Sequence, residues 1–113
     1  MCMDISKDEL LRINEGFQGV LRNSSSIEFA LDIQKNSKLG KYKKLAYLIR
    51  AIIVDYPFSD GNKRTAMYLT LKFAEENKLQ VERELLLHHL LSIAKNNIQD
   101  IRNIADRMKN AIR

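Results

Sequence analysis

The chain has 113 residues and a formal net charge of +5 at pH 7; 45% of its residues are hydrophobic and 29% are charged. This length and balance predict one globular domain, spanning residues 1–113, with one modest core, and they exclude a disordered chain. A single cysteine, Cys2, excludes an internal disulfide. The best apolar run, LAYLIRAIIV, is interrupted by Arg50, so we expect no membrane span, and MCMDISKDEL lacks the apolar core of a signal peptide. A cytoplasmic location is therefore expected.

The first two predicted helices begin at serines. Ser6 with Glu9 forms a capping-box pattern before the first apolar residues, and Ser25 with Glu28 forms a second one before the apolar residues of 27–33. In a capping box, the serine hydroxyl and the acidic side chain each accept a backbone N–H at the start of the helix. The two patterns therefore predict two short helices near the N-terminus.

A lysine-rich segment, KNSKLGKYKK, follows the second helix and contains no acidic residue. Its lysines are Lys35, Lys38, Lys41, Lys43 and Lys44. A solvated loop around Gly40 and the start of the next helix explain such a run most simply. A surface for nucleotide phosphate or nucleic acid is the alternative, and we do not expect nucleic acid to be a partner.

Apolar residues at helical period predict a third helix from Tyr42 to Ile53. The only proline, Pro57, disfavours helical geometry at the residue before it, so this helix should end near Asp55. The next segment, 62–76, is apolar almost all round, which predicts a central, buried helix.

Two further helices complete the predicted fold. Asn77 is a plausible stop for the fourth helix, RELLLHHLLSIAKN has the pattern of an amphipathic fifth helix, and Asn97 is the predicted cap of the last one. No segment alternates in the manner of a strand. The sequence therefore predicts an all-α bundle of five to six helices.

The polar turn DGNKR lies between the third and fourth helices and has the composition of an anion site. The first turn of a helix offers unpaired N–H groups and the positive end of the helix dipole, and Gly61 lets a ligand approach the backbone. Lys63 and Arg64 add charge that binds phosphate oxygens. Asp60 supplies the hard oxygen that Mg²⁺ prefers, while Asn62 caps the helix or donates its amide to the anion.

A simpler interpretation is an ordinary helix–turn–helix connection in which the Asp and Asn are caps and the two cations are solvated. The spacing alone does not decide between the two. In either case Phe58, two residues before the acid, should point into the core and hold the loop rigid.

The segment PFSDGNKRTA resembles the signature of the Fic/Doc family, and in particular its Doc (death-on-curing) branch. The resemblance covers residues 26–110, through the preceding helix LAYLIRAIIVD, the following LTLKFAEENKLQV and the C-terminal SIAKNNIQDIRNIADRMKN. It implies an all-helical Fic fold with the motif loop between two central helices. Members of this family transfer part of a nucleoside triphosphate to a protein hydroxyl.

The Doc branch is indicated by two positions. Most Fic proteins transfer an adenylyl group, and they carry a glycine where this chain has Lys63 and a second arginine where it has Met67. Doc toxins are instead kinases that phosphorylate a translation elongation factor, and an antitoxin binds them. The resemblance thus implies ATP with Mg²⁺, a protein target and an antitoxin partner. It also places the family's target-docking flap, a strand-like edge, around Ile33, Gln34 and Lys35.

Carried over by position, the resemblance assigns a role to each residue of the turn. Asp60 would hold Mg²⁺, and Asn62 with the backbone near Gly61 would form the anion hole. Lys63 and Arg64 would bind phosphates.

The family begins its motif with a histidine that acts as general base, and this chain has Tyr56 there. Free tyrosine has a pKa of about 10 against about 6.5 for histidine, so it is a poor base at neutral pH. Losing a general base typically costs about 10²–10⁴-fold in rate, although phosphoryl transfer depends mostly on positioning and charge neutralisation. Three interpretations remain open: a weak or altered kinase in which Tyr56 orients the acceptor hydroxyl, a silent pseudoenzyme that binds nucleotide or protein, and a protein in which Tyr56 is itself the acceptor.

Overall fold

The computed structural model describes residues 5–113, and Cys2 lies outside that range. The described residues form six helices and no strand: α1 Lys7–Glu15, α2 Ser25–Ile33, α3 Lys41–Ile53, α4 Asn62–Glu76, α5 Arg83–Lys95 and α6 Ile101–Ala111. The predicted all-α bundle is thereby confirmed. Within the same residues, no helix is both long and apolar enough to span a bilayer.

Helix α3 is the centre of the bundle. It packs against α2, α4, α5 and α6, and its apolar stripe is almost wholly enclosed. Full burial of each leucine or isoleucine on that stripe contributes about 1.5–3 kcal/mol relative to exposure. The predicted burial of α4 is found on one side: α4 packs against α1, α3 and α5, while its other side faces solvent and leaves Tyr68 48% exposed. The apolar residues of α4 continue onto that outer side.

The caps of the first two helices differ from each other. The hydroxyl of Ser6 accepts the N–H of Glu9 at 3.1 Å, as the first capping box predicts. The second capping box, predicted at Ser25, is wrong, because Ser25 is already the first helical residue. Its N–H donates to the side-chain oxygen of Asn23 at 2.9 Å, so a local turn formed by Asn23 occupies the donor before the helix begins.

The start of α6 also departs from the prediction. Asn97 does not cap it; Asn97 adopts a left-handed conformation (φ 49°) in the turn after α5. Asp100 is the cap, and its carboxylate accepts the N–H of Asn103 at 2.9 Å. The cap is thus three residues later than predicted, since the turn that ends α5 uses Asn97 first. Asn77, by contrast, ends α4 as predicted.

The predicted flap is not a strand-like edge. Ile33 is the last residue of α2, and Gln34 is a buried residue that joins two elements. The Gln34 amide donates to the carbonyl of Ala30 and to that of Lys44, each at 3.0 Å. Because these bonds turn the segment inward, it presents no extended edge for a target protein.

Candidate functional site

The motif loop links α3 to α4 through two residues in the left-handed region. Tyr56 has φ 48° and Gly61 has φ 73°. Gly61 needs to be glycine for a second reason, since an added Cβ would lie 2.8 Å from the Cβ of Phe17. The loop therefore passes close against the segment that follows α1, and the absence of a side chain permits that approach.

The base of the loop is held by a reciprocal pair of hydrogen bonds. The Asn62 amide donates to the carbonyl of Phe58 at 2.9 Å, and the Phe58 N–H donates to the Asn62 side-chain oxygen at 3.2 Å. Both residues are buried, and the Phe58 ring lies in the core. The Asn62 side chain thus holds the loop in position. At the start of α4, the group of Asn62 that remains free to bind an anion is its backbone N–H. That the Asn62 amide contacts an anion stays a prediction.

Asn14, near the end of α1, supports the motif loop from behind and was not identified from the sequence. Its amide donates to the carbonyl of Asp60 at 2.9 Å and to the hydroxyl of Thr65 at 3.1 Å. Asn14 is 1% exposed, and its side-chain oxygen has no hydrogen-bond partner. Gly19 lies directly below, where an added Cβ would be 2.4 Å from the Asp60 carbonyl. The feature of the sequence that could have indicated Asn14 is its position four residues after Leu10, which places a polar side chain on the buried face of α1.

A short extended segment after α1 supports the loop from its other side. Leu21 pairs with Phe58 in an isolated antiparallel bridge. The Ser59 N–H donates to the Val20 carbonyl at 2.9 Å, and the Val20 N–H donates to the Ser59 hydroxyl at 3.0 Å. This segment, residues 20–23, is the extended edge beside the motif loop.

These supports enclose a cavity of about 260 Å³, which we call the motif cavity. Its lining residues are Tyr56, Ser59, Asp60, Gly61, Asn62, Lys63 and Arg64. The structure therefore brings together six of the seven residues that the sequence indicated, and Phe58 lies below them in the core. All six belong to one loop and the first turn of one helix.

The motif cavity is electropositive. The first intrahelical bond of α4 runs from the Thr65 N–H to the Gly61 carbonyl at 2.8 Å, so the three preceding N–H groups have no partner within the helix. No side chain caps them. Lys63 and Arg64 are exposed, and neither forms an ion pair within 4.0 Å in the described part of the chain. The cavity can therefore bind an anion through backbone N–H groups and two cations.

Asp60 is the one carboxylate in this cavity. It is exposed, and one of its oxygens accepts the Gly61 N–H at 2.7 Å. Residues 5–113 contain no group of three or more His, Cys, Asp or Glu side chains that could hold a metal ion. A single carboxylate still fits Mg²⁺, which proteins commonly hold through one or two carboxylates together with substrate phosphates and water.

Tyr56 lines the motif cavity and is 47% exposed. Its left-handed backbone is costly for a bulky residue, whereas histidine is found there several-fold more often than average. The backbone at this position thus suits a histidine better than the tyrosine that is present.

A second cavity, of about 280 Å³, adjoins the first, and we call it the apolar groove. Its lining residues are Phe17, Lys63, Arg64, Met67, Tyr68, Leu71 and Leu87. Lys63 and Arg64 line both cavities, so the groove continues the motif cavity along α4 towards α5. Tyr68 and Leu87 are about half exposed, 48% and 44%, which leaves an apolar surface open to solvent.

Comparison with known proteins gives one match. A family model described as the Fic/DOC family matches residues 3–74, more than half of the chain. The match includes α1, the supporting segment at residues 20–23 and the whole motif loop, and it ends within α4. No match was found among curated proteins or among solved structures. The chain belongs to the Fic/DOC family.

Proposed function

We propose that this chain is a Doc-like phosphotransferase, which moves the γ-phosphate of ATP onto a protein hydroxyl at a rate reduced by Tyr56. The observation that carries the proposal is the motif cavity, in which an uncapped helix start, Lys63 and Arg64 surround a site beside the carboxylate of Asp60. Lys63 and Met67 favour phosphoryl over nucleotidyl transfer. We propose further that the protein is the toxin of a toxin–antitoxin pair, that it acts in the cytoplasm, and that its target is a translation elongation factor.

In this reaction the acceptor oxygen forms a bond to the γ-phosphorus, and the bond from that phosphorus to the β–γ bridging oxygen breaks. ADP leaves with the bridging electron pair. The N–H groups at the start of α4 and the two cations hold the phosphate oxygens in line with the acceptor. Mg²⁺, held by Asp60, would neutralise phosphate charge when bound.

The proton of the acceptor hydroxyl is the difficult part of the reaction. The hydroxyl of Tyr56 can accept a hydrogen bond from the acceptor and orient it, but it is too weak a base to remove the proton early. Because the transition state of phosphoryl transfer is loose, the proton can leave late, to solvent or to a phosphate oxygen. We expect the natural protein to be about 10²–10⁴-fold slower than a variant with histidine at position 56.

The experiment is label transfer from γ-labelled ATP with Mg²⁺ into a host lysate. It compares the natural protein with Tyr56→His, and each of these with a matched Arg64→Ala variant that lacks the phosphate-binding guanidinium. Labelling of one target band that Arg64→Ala abolishes supports the kinase. Labelling by Tyr56→His alone identifies a silenced enzyme with an intact phosphate site. Label found on Tyr56 of the protein itself, by peptide mass spectrometry, identifies Tyr56 as the acceptor.

The alternative is a catalytically silent Fic-fold protein that binds a nucleotide or a protein partner. The apolar groove favours it, because Tyr68 and Leu87 leave an apolar surface that an amphipathic segment, such as an antitoxin tail, could cover. This alternative predicts a stoichiometric protein complex that is unchanged by Asp60→Ala. A requirement of that complex for Mg²⁺ and ATP would count against it.

A further inference from the structure

A second positively charged cavity lies at the N-terminal end of α3, the end away from the motif loop. Its volume is about 370 Å³, and we call it the lysine cavity. Its lining residues are Lys38, Leu39, Gly40, Lys41, Tyr42, Lys43 and Lys109. The 13 residues of α3 rise about 20 Å along the helix axis, so the lysine cavity and the motif cavity are separate sites.

Unpaired like charges converge on this cavity. The ammonium groups of Lys41 and Lys109 each lie 5.7 Å from the ring centroid of Tyr42, which places two cations on one aromatic ring. No acidic residue lines the cavity, and none of its four lysines forms an ion pair within 4.0 Å in residues 5–113. The loop before α3, α3 itself and α6 all contribute a lysine. Bringing these charges together is unfavourable for the folded chain, and a bound anion would relieve that repulsion.

The backbone adds donors at the same place. The first intrahelical bond of α3 runs from the Lys44 N–H to the Gly40 carbonyl at 3.1 Å, so the N–H groups of residues 41–43 precede it. No side chain caps α3, and its first turn contains no acid. The Tyr42 ring is held in place because it packs on Phe73, with the ring centroids 5.4 Å apart. The cavity is therefore lined by four lysines, the uncapped start of α3 and an aromatic ring that is held in place.

We propose that the lysine cavity binds the phosphate groups of an anionic ligand, independently of the motif cavity. Four cations with several N–H donors match an ion that carries several negative charges and many acceptor oxygens, as linked phosphates do. A free oligophosphate and the backbone of a single-stranded nucleic acid present the same chemistry, and the two arms of the experiment below separate them.

Gly40 offers a variant that separates binding from folding. Its backbone, φ −69° and ψ 160°, is open to any residue, and an added Cβ would meet no heavy atom within 4 Å. Aspartate at this position should cap α3 and interact favourably with the positive end of the helix dipole, so the variant should fold. It also places a negative charge in the cavity. Serine caps the helix without that charge and is the matched control.

The measurement is a titration of the ¹⁵N-labelled chain with tripolyphosphate, without Mg²⁺, followed by the backbone amide signals. We expect the amides of residues 41–43 to shift in a saturable way, separately from those of residues 62–64 in the motif cavity. Gly40→Asp should weaken the binding reported by residues 41–43 at least about tenfold, because its carboxylate repels the phosphates, while Gly40→Ser retains that binding. No saturable shift at residues 41–43, or equal binding by Gly40→Asp, overturns the proposal.

A charge-matched pair of double variants tests whether the lysines act at this place. Lys38→Gln with Lys109→Gln removes two cavity cations, and Lys95→Gln with Arg102→Gln removes two exposed cations elsewhere. The first pair should weaken tripolyphosphate binding at residues 41–43 and the second should leave it within about twofold. Equal effects of the two pairs would mean a diffuse response to net charge and would contradict a site.

The second arm uses a 12-nucleotide oligouridylate as the probe. If the ligand is a nucleic-acid backbone, the same amides shift at lower concentration than with tripolyphosphate. With four phosphate contacts, the binding should weaken about 50-fold between 50 and 200 mM salt. If tripolyphosphate binds more tightly than the oligonucleotide, the ligand is a free oligophosphate. Failure of both probes at residues 41–43 leaves no role for the cavity, whatever the motif cavity does.

Discussion

The side-chain amide of Asn14 donates to the backbone carbonyl of Asp60 at 2.9 Å, across 46 positions of the chain. One hydrogen bond thus connects the last turn of α1 with the residue that we expect to hold Mg²⁺. This bond holds the Asp60 carbonyl on the side of the loop that faces α1. The Asp60 carboxylate lines the motif cavity, where one of its oxygens accepts the Gly61 N–H. The loop is therefore oriented from outside the motif.

Asn14→Ala tests this connection. The change leaves the partly buried carbonyl of Asp60 and the buried hydroxyl of Thr65 without that donor, so we expect the free energy of unfolding to fall by about 1–3 kcal/mol. Urea denaturation measures the loss, and hydrogen exchange at the Thr65 amide reports loosening at the start of α4. Gln99→Ala, at an exposed position where the backbone carbonyl and not the side chain accepts a hydrogen bond, is the control and should change stability by less than about 0.5 kcal/mol. Unchanged exchange at Thr65 in Asn14→Ala would show that the loop is held by its other contacts.

Tyr56 should carry measurable backbone strain. A left-handed conformation costs an ordinary residue roughly 1–2 kcal/mol, and glycine avoids that cost. We expect Tyr56→Gly to be about 1 kcal/mol more stable than Tyr56→Ala, because both lack the ring and only alanine keeps the strain. Thermal unfolding of the two variants measures the difference. Equal stability would mean that the loop relaxes out of φ 48° at no cost.

The residues at positions 56, 63 and 67 should determine whether the protein transfers a phosphoryl or a nucleotidyl group. In a Tyr56→His background, Lys63→Gly combined with Met67→Arg introduces the glycine and the arginine that the motif resemblance assigns to nucleotidyl-transferring Fic proteins. We expect label on the target to change from the γ-phosphate of ATP to the α-phosphate, because the phosphate chain is then held in the opposite direction. Parallel reactions with γ- and α-labelled ATP measure it. Persistent γ-label in the triple variant would place the control of direction outside these positions.

Glu28 should give a small, salt-sensitive pH dependence of stability. The ammonium of Lys7, at 2.9 Å, lowers the pKa of Glu28 below its ordinary value of 4.5 by hydrogen bonding and by charge. Because the folded pKa is lower than the unfolded one, the stabilisation is present above about pH 4.5 and is lost as the pH falls through the folded pKa. The stability difference between the natural protein and Glu28→Gln should therefore be present at pH 7 and vanish in acid.

That pH prediction is checked by urea denaturation of both proteins between pH 3 and pH 7, at low and high salt. High salt should shrink the difference at pH 7, since both side chains are exposed. A difference that grows as the pH falls would contradict the ion pair between α1 and α2.

The sequence by itself determined the helices and the composition of the site. The period of the apolar residues in α3 and the position of Pro57 set the boundaries of the third helix, because burial and backbone sterics act over a few neighbouring residues. The motif residues were identified for the same reason, since the loop and the first turn of α4 are contiguous. Caps were predicted less well: Asn23 and Asp100, rather than Ser25 and Asn97, accept N–H groups near the starts of α2 and α6, and a pattern of residue types does not choose between such neighbours.

Only the tertiary structure decided which distant residues hold the site. Asn14 meets Asp60, residues 20–23 pair with the loop, and Lys109 joins the lysines at the start of α3. Which helix is central was also decided there, since α3 and α4 both carry enough apolar surface. Such contacts depend on the angles and distances at which whole helices pack, and these are set by side-chain packing throughout the core. Local periodicity and capping preferences carry no information about that balance, because they report on one helix at a time.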